Sequence, residues 1–142
     1  MSLPLSEVPA GGTVAIGLGS RGICDIRSIA ETVVAAVSEA GYEPFVFPAM
    51  GSHGGATPEG QRRALAGLGL TEDALGCSID AGTGTVVVGT TARGHEVPVA
   101  TAALEADGIV VVNRVKPHTN FSGAIESGLS KMLTVGLGKR AG

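Results

Sequence analysis

Tryptophan is absent from this 142-residue chain, and one tyrosine and three phenylalanines leave aromatics at 3%. That excludes a core built on large rings, and with it the stacking platforms on which single-stranded nucleic acids rest. Charge is sparse too: Asp, Glu, Lys and Arg make up 16% of the chain, the net charge is −3 and the pI is near 5.5. No broad basic face can be assembled to neutralise a phosphate backbone, so nucleic acid is not expected as a partner. The only cysteines, Cys24 and Cys77, are far apart and neither belongs to a CxxC pair. A zinc knuckle or a disulfide framework is therefore not indicated, and reduced thiols in a cytoplasmic protein are expected. The longest apolar runs are strand-sized and no basic-then-apolar leader opens the chain, so neither a membrane span nor a signal peptide is expected.

Small aliphatic residues and glycine take the place of what is missing. Hydrophobic residues reach 44% with a mean hydropathy of +0.34, enough for one well-buried domain built on Val, Ile, Leu and Ala. The 23 glycines show no short repeat; they fall between periodic segments as turns and points of close approach. Charge is unevenly placed. Residues 113–142 carry Arg114, Lys116, Lys131, Lys139 and Arg140 against Glu126 alone, while the rest of the chain is net acidic. Such a reversal fits either a local anion site or a solvated basic tail. The apolar stripe of Phe121, Ile125, Leu129, Met132, Leu133 and Leu137 favours the site, since tails do not usually carry one.

Read for order, the chain begins strand, glycine loop, helix. The β-branched run 13–17 leads into Gly17–Gly22; Asp25 is a plausible N-cap, and Ile26, Ile29, Val33, Val34 and Val37 recur at helical spacing until Gly41. Residues 43–47 predict a second strand, and Pro58 the first position of a second helix ending near Gly67. Short strands are expected at 77–80, 86–90 and 97–100, with a helical turn at 101–105. The unbroken run Ile109–Val112 predicts a central strand covered on both faces. Helical spacing returns from Ser122 to about Gly136. The fold class expected is α/β, a three-layer Rossmann-like domain with a mainly parallel sheet and helices on both faces. Ligands of such folds gather at the carboxyl ends of the strands.

Three loops carry candidate chemistry. Gly17-Leu18-Gly19-Ser20-Arg21-Gly22 satisfies GxGxxG, and Arg21 could pair with a phosphate through its forked donors. As a dinucleotide site it lacks the acid expected after the next strand, which ends Val46-Phe47-Pro48-Ala49-Met50, and a structural turn explains it equally. In Gly51-Ser52-His53-Gly54-Gly55, the residues flanking His53 are too small to cover it, so the imidazole could serve as base, acid or metal ligand, or simply lie at the surface. The third loop holds His118 after Lys116-Pro117, with Lys131 thirteen positions on among Ser127, Gly128 and Ser130. A lysine so bordered could be desolvated into a nucleophile or covalent anchor, or could snorkel to water. His95, in Arg93-Gly94-His95-Glu96, reads as a hairpin turn without a role.

In order along the chain, Gly19-Ser20-Arg21, Gly51-Ser52-His53, Val88-Gly89-Thr90-Thr91 with Gly94, and above all Lys116-Pro117-His118 through Ser127-Gly128-Leu129-Ser130-Lys131 resemble the N-terminal domain of the nickel-pincer-nucleotide lactate racemase family. The resemblance implies a racemase or epimerase of α-hydroxy acids in which His53 and His118 are alternating bases on opposite faces of the substrate carbon. It implies that Lys131 tethers the nickel-pincer nucleotide, whose nickel exchanges a hydride with the substrate, and that Ser20 and Arg21 help hold its phosphate. The pattern departs at Leu18, where the family has an acid, and at Gly54, where it has an arginine. No metal ligand is assigned within this chain. The family's nickel-ligating histidine and closing domain would follow Gly142, so the chain is expected to be the N-terminal part of a longer two-domain protein, inactive alone and open to self-association. Two further readings stand beside this one: a non-catalytic module binding a phosphate or metal ligand, and an NAD(P)-dependent oxidoreductase using Gly17, Gly19 and Gly22.

Overall fold

The computed structural model describes residues 5–20, 22–115 and 128–142. Strand β1 (Thr13–Leu18) lies between two parallel neighbours, β2 (Glu43–Pro48) and β5 (Gly108–Val112), giving the order β2-β1-β5. Register is continuous on both sides: Thr13 faces Glu43 and Leu18 faces Pro48, while Val14 faces Gly108 and Leu18 faces Val112. Beyond β2, Val46 forms a single parallel bridge with Ile79, with Val46 N–H donating to Ser78 O and Asp80 N–H to Val46 O, both at 2.9 Å. The strand expected at 77–80 is thus reduced to one paired residue. A separate antiparallel hairpin joins β3 (Thr85–Thr90) to β4 (Glu96–Ala100).

Alternation along β1 and β2 explains the layers. Val14, Ile16, Leu18 and Val46 point to one face, where they pack with Ile26, Ala30, Val34 and Val37 of helix α1 (Ile26–Glu39), Leu65 of α2 (Pro58–Ala66) and Leu75 of α3 (Glu72–Leu75). Ala15 and Phe47 point to the other, against Ala102 and Ala103 of α4 (Thr101–Leu104) and Met132 and Leu137 near the C-terminus. The fold is accordingly α/β, with a parallel sheet covered on both faces. Each fully buried Val, Leu or Ile contributes roughly 1.5–3 kcal/mol to this arrangement.

The helices start and stop where their sequence dictates. Asp25 precedes α1 but stands at φ 53 and makes no side-chain cap, so its value lies in turning the chain. Gly41, at φ +87, ends that helix in a conformation side chains resist. Pro58 opens α2 at a position where its missing N–H costs nothing, and Thr57 Oγ1 accepts from Gly60 N–H at 3.1 Å. α3 adds one turn that sequence periodicity did not predict.

One expectation is corrected. The run Ile109–Val112 forms β5, but β5 is an edge of the sheet among the described residues, and Ile109 is 41% exposed. The central strand is β1. Nor is β5 fully covered: Val110 and Val112 are half-buried against one core cluster and Val111 against the other, and no residue of the strand is buried. No described helix is long and apolar enough to cross a membrane.

Candidate functional site

Because β1, β2 and β5 are parallel and in register, the residues that follow Leu18, Pro48 and Val112 emerge at one edge of the sheet. Gly19-Ser20 leaves β1, Ala49–Ala56 leaves β2 and Asn113–Val115 leaves β5. The loops touch one another. Ala49 N–H donates to Leu18 O at 2.9 Å, and Arg114 Nη1 donates to Gly22 O at 2.8 Å. Ser20 also lines a small cleft with Gly19, Gly22, Ile23, Ile26 and Leu68 at the start of α1.

His53 opens the tight turn His53–Ala56 after β2, in which Gly54, Gly55 and Ala56 all take positive φ, and is half-buried. Its Nδ1 is hydrogen-bonded to Ser20 Oγ. With the hydroxyl donating, the neutral ring carries its proton on Nε2; once the imidazole is protonated, Nδ1 becomes the donor. Two candidate residues that the sequence placed in separate loops, one for a phosphate and one for a proton, therefore form one unit.

The His53 loop is set on helix α2 by glycine. Gly54 lies at φ +64, and a Cβ there would stand 2.4 Å from the carbonyl carbon of Gly60, while a Cβ on Gly60 would stand 1.7 Å from Gly54 O. Only two hydrogens separate these backbones. Thr57 Oγ1 donates to Gly54 O at 3.3 Å. On the opposite side, a Cβ on Gly51 would meet Val135 Cγ1 at 3.0 Å, so the C-terminal segment forms the other wall.

That segment runs from a short helical turn, α5 (Leu129–Lys131), into a turn of π-helix, Met132–Gly136. Lys131 is exposed. Of the two readings open for this lysine, the exposed side chain fits the one that reaches water: small neighbours on its own segment do not cover it. The next residue, Met132, is buried, and its Cε lies 3.7 Å from the point a Cβ on Gly19 would occupy. Lys131 therefore follows the chain to within one residue of the loop that carries Ser20.

The desolvated lysine is Lys139, which the sequence reading counted only as charge. It is 2% exposed. Its Nζ donates to Pro48 O at 2.7 Å and to Gln61 Oε1 at 3.2 Å, and lies 5.7 Å from the centre of the Phe47 ring. Burial pushes its pKa down to about 8, opposed by the Asp80 charge. Gln61, wholly buried, in turn donates through Nε2 to Gly51 O at 2.9 Å and to His53 O at 3.3 Å. The signal available was Leu137-Gly138-Lys139, a cation in an apolar, glycine-rich stretch, but its burial depends on docking against β2 and α2.

Arg21 and His118 lie outside the described residues, as do the first six residues of the helix predicted from Ser122 to about Gly136. His95 occupies the β3–β4 turn, its carbonyl accepting from Thr91 N–H at 2.8 Å, in agreement with the hairpin expected there. No cluster of three His, Cys, Asp or Glu able to hold a metal occurs among the described residues. Helix α1 starts four residues after Gly22, so the third glycine of the GxGxxG pattern does not open a helix.

Among protein families, the lactate racemase N-terminal domain matches residues 19–140. Comparison with curated proteins and with solved structures gave no match.

Proposed function

The chain belongs to the lactate racemase N-terminal-domain family, and we propose that it is the cofactor-binding and catalytic-base domain of a nickel-pincer-type racemase or epimerase of α-hydroxy acids. The observation that carries this reading is the Ser20–His53 pair at the carboxyl ends of β1 and β2, beside the segment that bears Lys131. The residues present fit the cofactor: Lys131 offers an exposed amine for covalent attachment, one residue from the buried Met132 that approaches Gly19. Lys131 would hold the group, with Ser20 and Arg21 at its phosphate. When bound, the cofactor supplies a reversible hydride acceptor, the chemistry that an unactivated α-carbon needs.

In the tautomer whose Nδ1–H donates to Ser20 Oγ, His53 takes the proton of the substrate hydroxyl on Nε2 and returns it after the carbon has inverted. The same Nδ1–H···Oγ hydrogen bond persists as the ring becomes cationic and holds the imidazole in one orientation through both halves of the cycle. His118 is the second base, acting on the opposite face. The local excess of cations in residues 113–142 attracts a substrate carboxylate.

The test is intact-mass and metal analysis of protein co-expressed with the enzymes that make the nickel-pincer nucleotide, wild type against Lys131→Ala. A nickel-accompanied adduct that maps to Lys131 and vanishes in the variant supports the reading. An unmodified, metal-free protein overturns it and leaves a module that binds a phosphate or metal ligand without catalysis. Saturable NAD or NADP binding that depends on Gly17, Gly19 and Gly22 would favour an oxidoreductase instead; the start of α1 well beyond Gly22 and the absence of an acid after β2 count against that.

A further inference from the structure

The buried pair Lys139 and Gln61 lies outside every role assigned above, yet it touches the candidate base. Gln61 reaches two carbonyls at the entry to the His53 turn, Gly51 O two residues before it and His53 O at its first residue. Its amide has one workable orientation. Lys139 Nζ can only donate, so Oε1 must face the ammonium and the NH2 must face the two carbonyls. Lys139 thereby sets the direction of Gln61, and Gln61 sets the loop. The lysine itself is fixed by Pro48 O, at the end of the strand from which the loop departs.

The backbone bears this out. Lys139 stands at φ 54, a conformation that costs a non-glycine residue about 1 kcal/mol or more and persists only where the surroundings impose it. The same ammonium also joins the C-terminal segment, which carries Lys131, to the loop that carries His53.

We propose that Lys139 and Gln61 are positioning residues for His53, a buried relay that holds the turn His53–Ala56 so that the imidazole meets Ser20. The relay rests on the proposed function only in naming His53 a base; the placement of the ring is a property of the fold. Loss of the amide donors frees the Gly51 and His53 carbonyls, the turn shifts, and the Ser20 contact is lost with it. Loss of the ammonium lets Gln61 flip, with the same result.

The experiment follows the His53 imidazole by NMR titration in the cofactor-free chain, with His95 in the exposed hairpin as internal control. Gln61→Glu keeps an acceptor for Lys139 but has no donor for the two carbonyls, and Ser20→Ala removes the partner directly. Gln61→Glu is expected to move the His53 midpoint by at least about 0.3 pH unit, a twofold change in proton affinity, while His95 stays in place. In the Ser20→Ala background it is expected to move His53 no further. A wild-type His53 midpoint in Gln61→Glu overturns the proposal, as does an equal shift with and without Ser20. If Gln61→Glu fails to fold, Lys139→Met carries the same comparison with the same deciding outcomes. Because no cofactor or substrate enters the measurement, its failure and that of the cofactor-tether test are told apart.

Discussion

Ser20 Oγ and His53 Nδ1 are hydrogen-bonded across 33 positions of sequence, at the ends of two adjacent parallel strands. The serine expected to serve a phosphate and the histidine expected to serve a proton thus depend on each other. A phosphate that drew Ser20 away would release the ring, and a protonated ring would reorganise the hydroxyl. Under the proposed function, the pairing is a direct route by which cofactor occupancy would alter the base.

For the cofactor-loaded enzyme, His53→Gln is expected to lower racemisation by about 10²- to 10⁴-fold, the usual contribution of a general base. Ser20→Ala is expected to lower it by roughly tenfold, corresponding to one hydrogen bond of about 1.4 kcal/mol to a group that becomes charged. Chiral chromatography of an α-hydroxy acid incubated with each variant reads both. Equal rates for Ser20→Ala and wild type would remove Ser20 from the orientation of His53.

Two adjacent glycine sites separate steric from conformational cost. Gly60→Ala places a methyl 1.7 Å from a backbone oxygen, which no side-chain motion relieves, whereas Gly55→Ala meets nothing within 4 Å but must adopt φ +71. Gly55→Ala is expected to destabilise by about 1–2 kcal/mol and Gly60→Ala by about 3 kcal/mol or more. Urea unfolding of both gives the comparison, and the order Gly55 above Gly60 would contradict the packing described.

Lys139 makes stability depend on pH on the alkaline side. Its folded pKa, about 8, lies below the ordinary lysine value of 10.5 because the amine is buried among Pro48, Gln61 and Phe47, with only Asp80 as a compensating charge. Between those two values the unfolded chain keeps a proton that the folded chain has released, so folding gains as pH rises. Relative to Lys139→Met, wild type is expected to gain stability progressively from about pH 8 to about 10.5, by on the order of 3 kcal/mol in all. Denaturation midpoints at intervals across that range measure it; the other alkaline groups, including Cys77, whose thiol burial pushes up, cancel in the difference. A flat difference would mean that the amine is not desolvated.

Phe47 is fully buried, and its Cζ lies 2.9 Å from where a Cβ on Gly17 would stand. It fills the space that glycine leaves on the face opposite α1 and supports Lys139 from below. Phe47→Ala is expected to cost about 3–5 kcal/mol and to lower the thermal midpoint by roughly 10 °C or more. Differential scanning calorimetry checks it.

Much of this architecture was readable from local signals. The β-branched run before Gly17, the three- and four-residue spacing from Ile26 to Val37, and Thr57-Pro58 at the head of α2 each specify their element within a few residues. The loops bearing Ser20 and His53 followed from those boundaries. What escaped was relational. The run Ile109–Val112 suggested an inner strand covered on both faces, but both its cover and its place in the strand order depend on which elements flank it, and β5 is a half-buried edge among the described residues. The burial of Lys139 was missed for the same reason: small neighbours left the exposure of Lys131 open, while the shelter of Lys139 comes from Pro48 and Gln61, more than seventy positions away. No window of sequence contains that contact.

The inner place of β1 has a consequence during synthesis. Its first partner, β2, follows at residue 43, but its second, β5, is not made until residue 108. A ribosome that has released the first hundred residues presents β1 with one flank paired and a row of unmet backbone donors and acceptors on the other, bordered by Val14, Ile16 and Leu18. That open edge persists for several seconds at ordinary rates of elongation, about 5–20 residues per second. Premature termination before residue 108 would make it permanent, and such fragments are the species most prone to pair with one another.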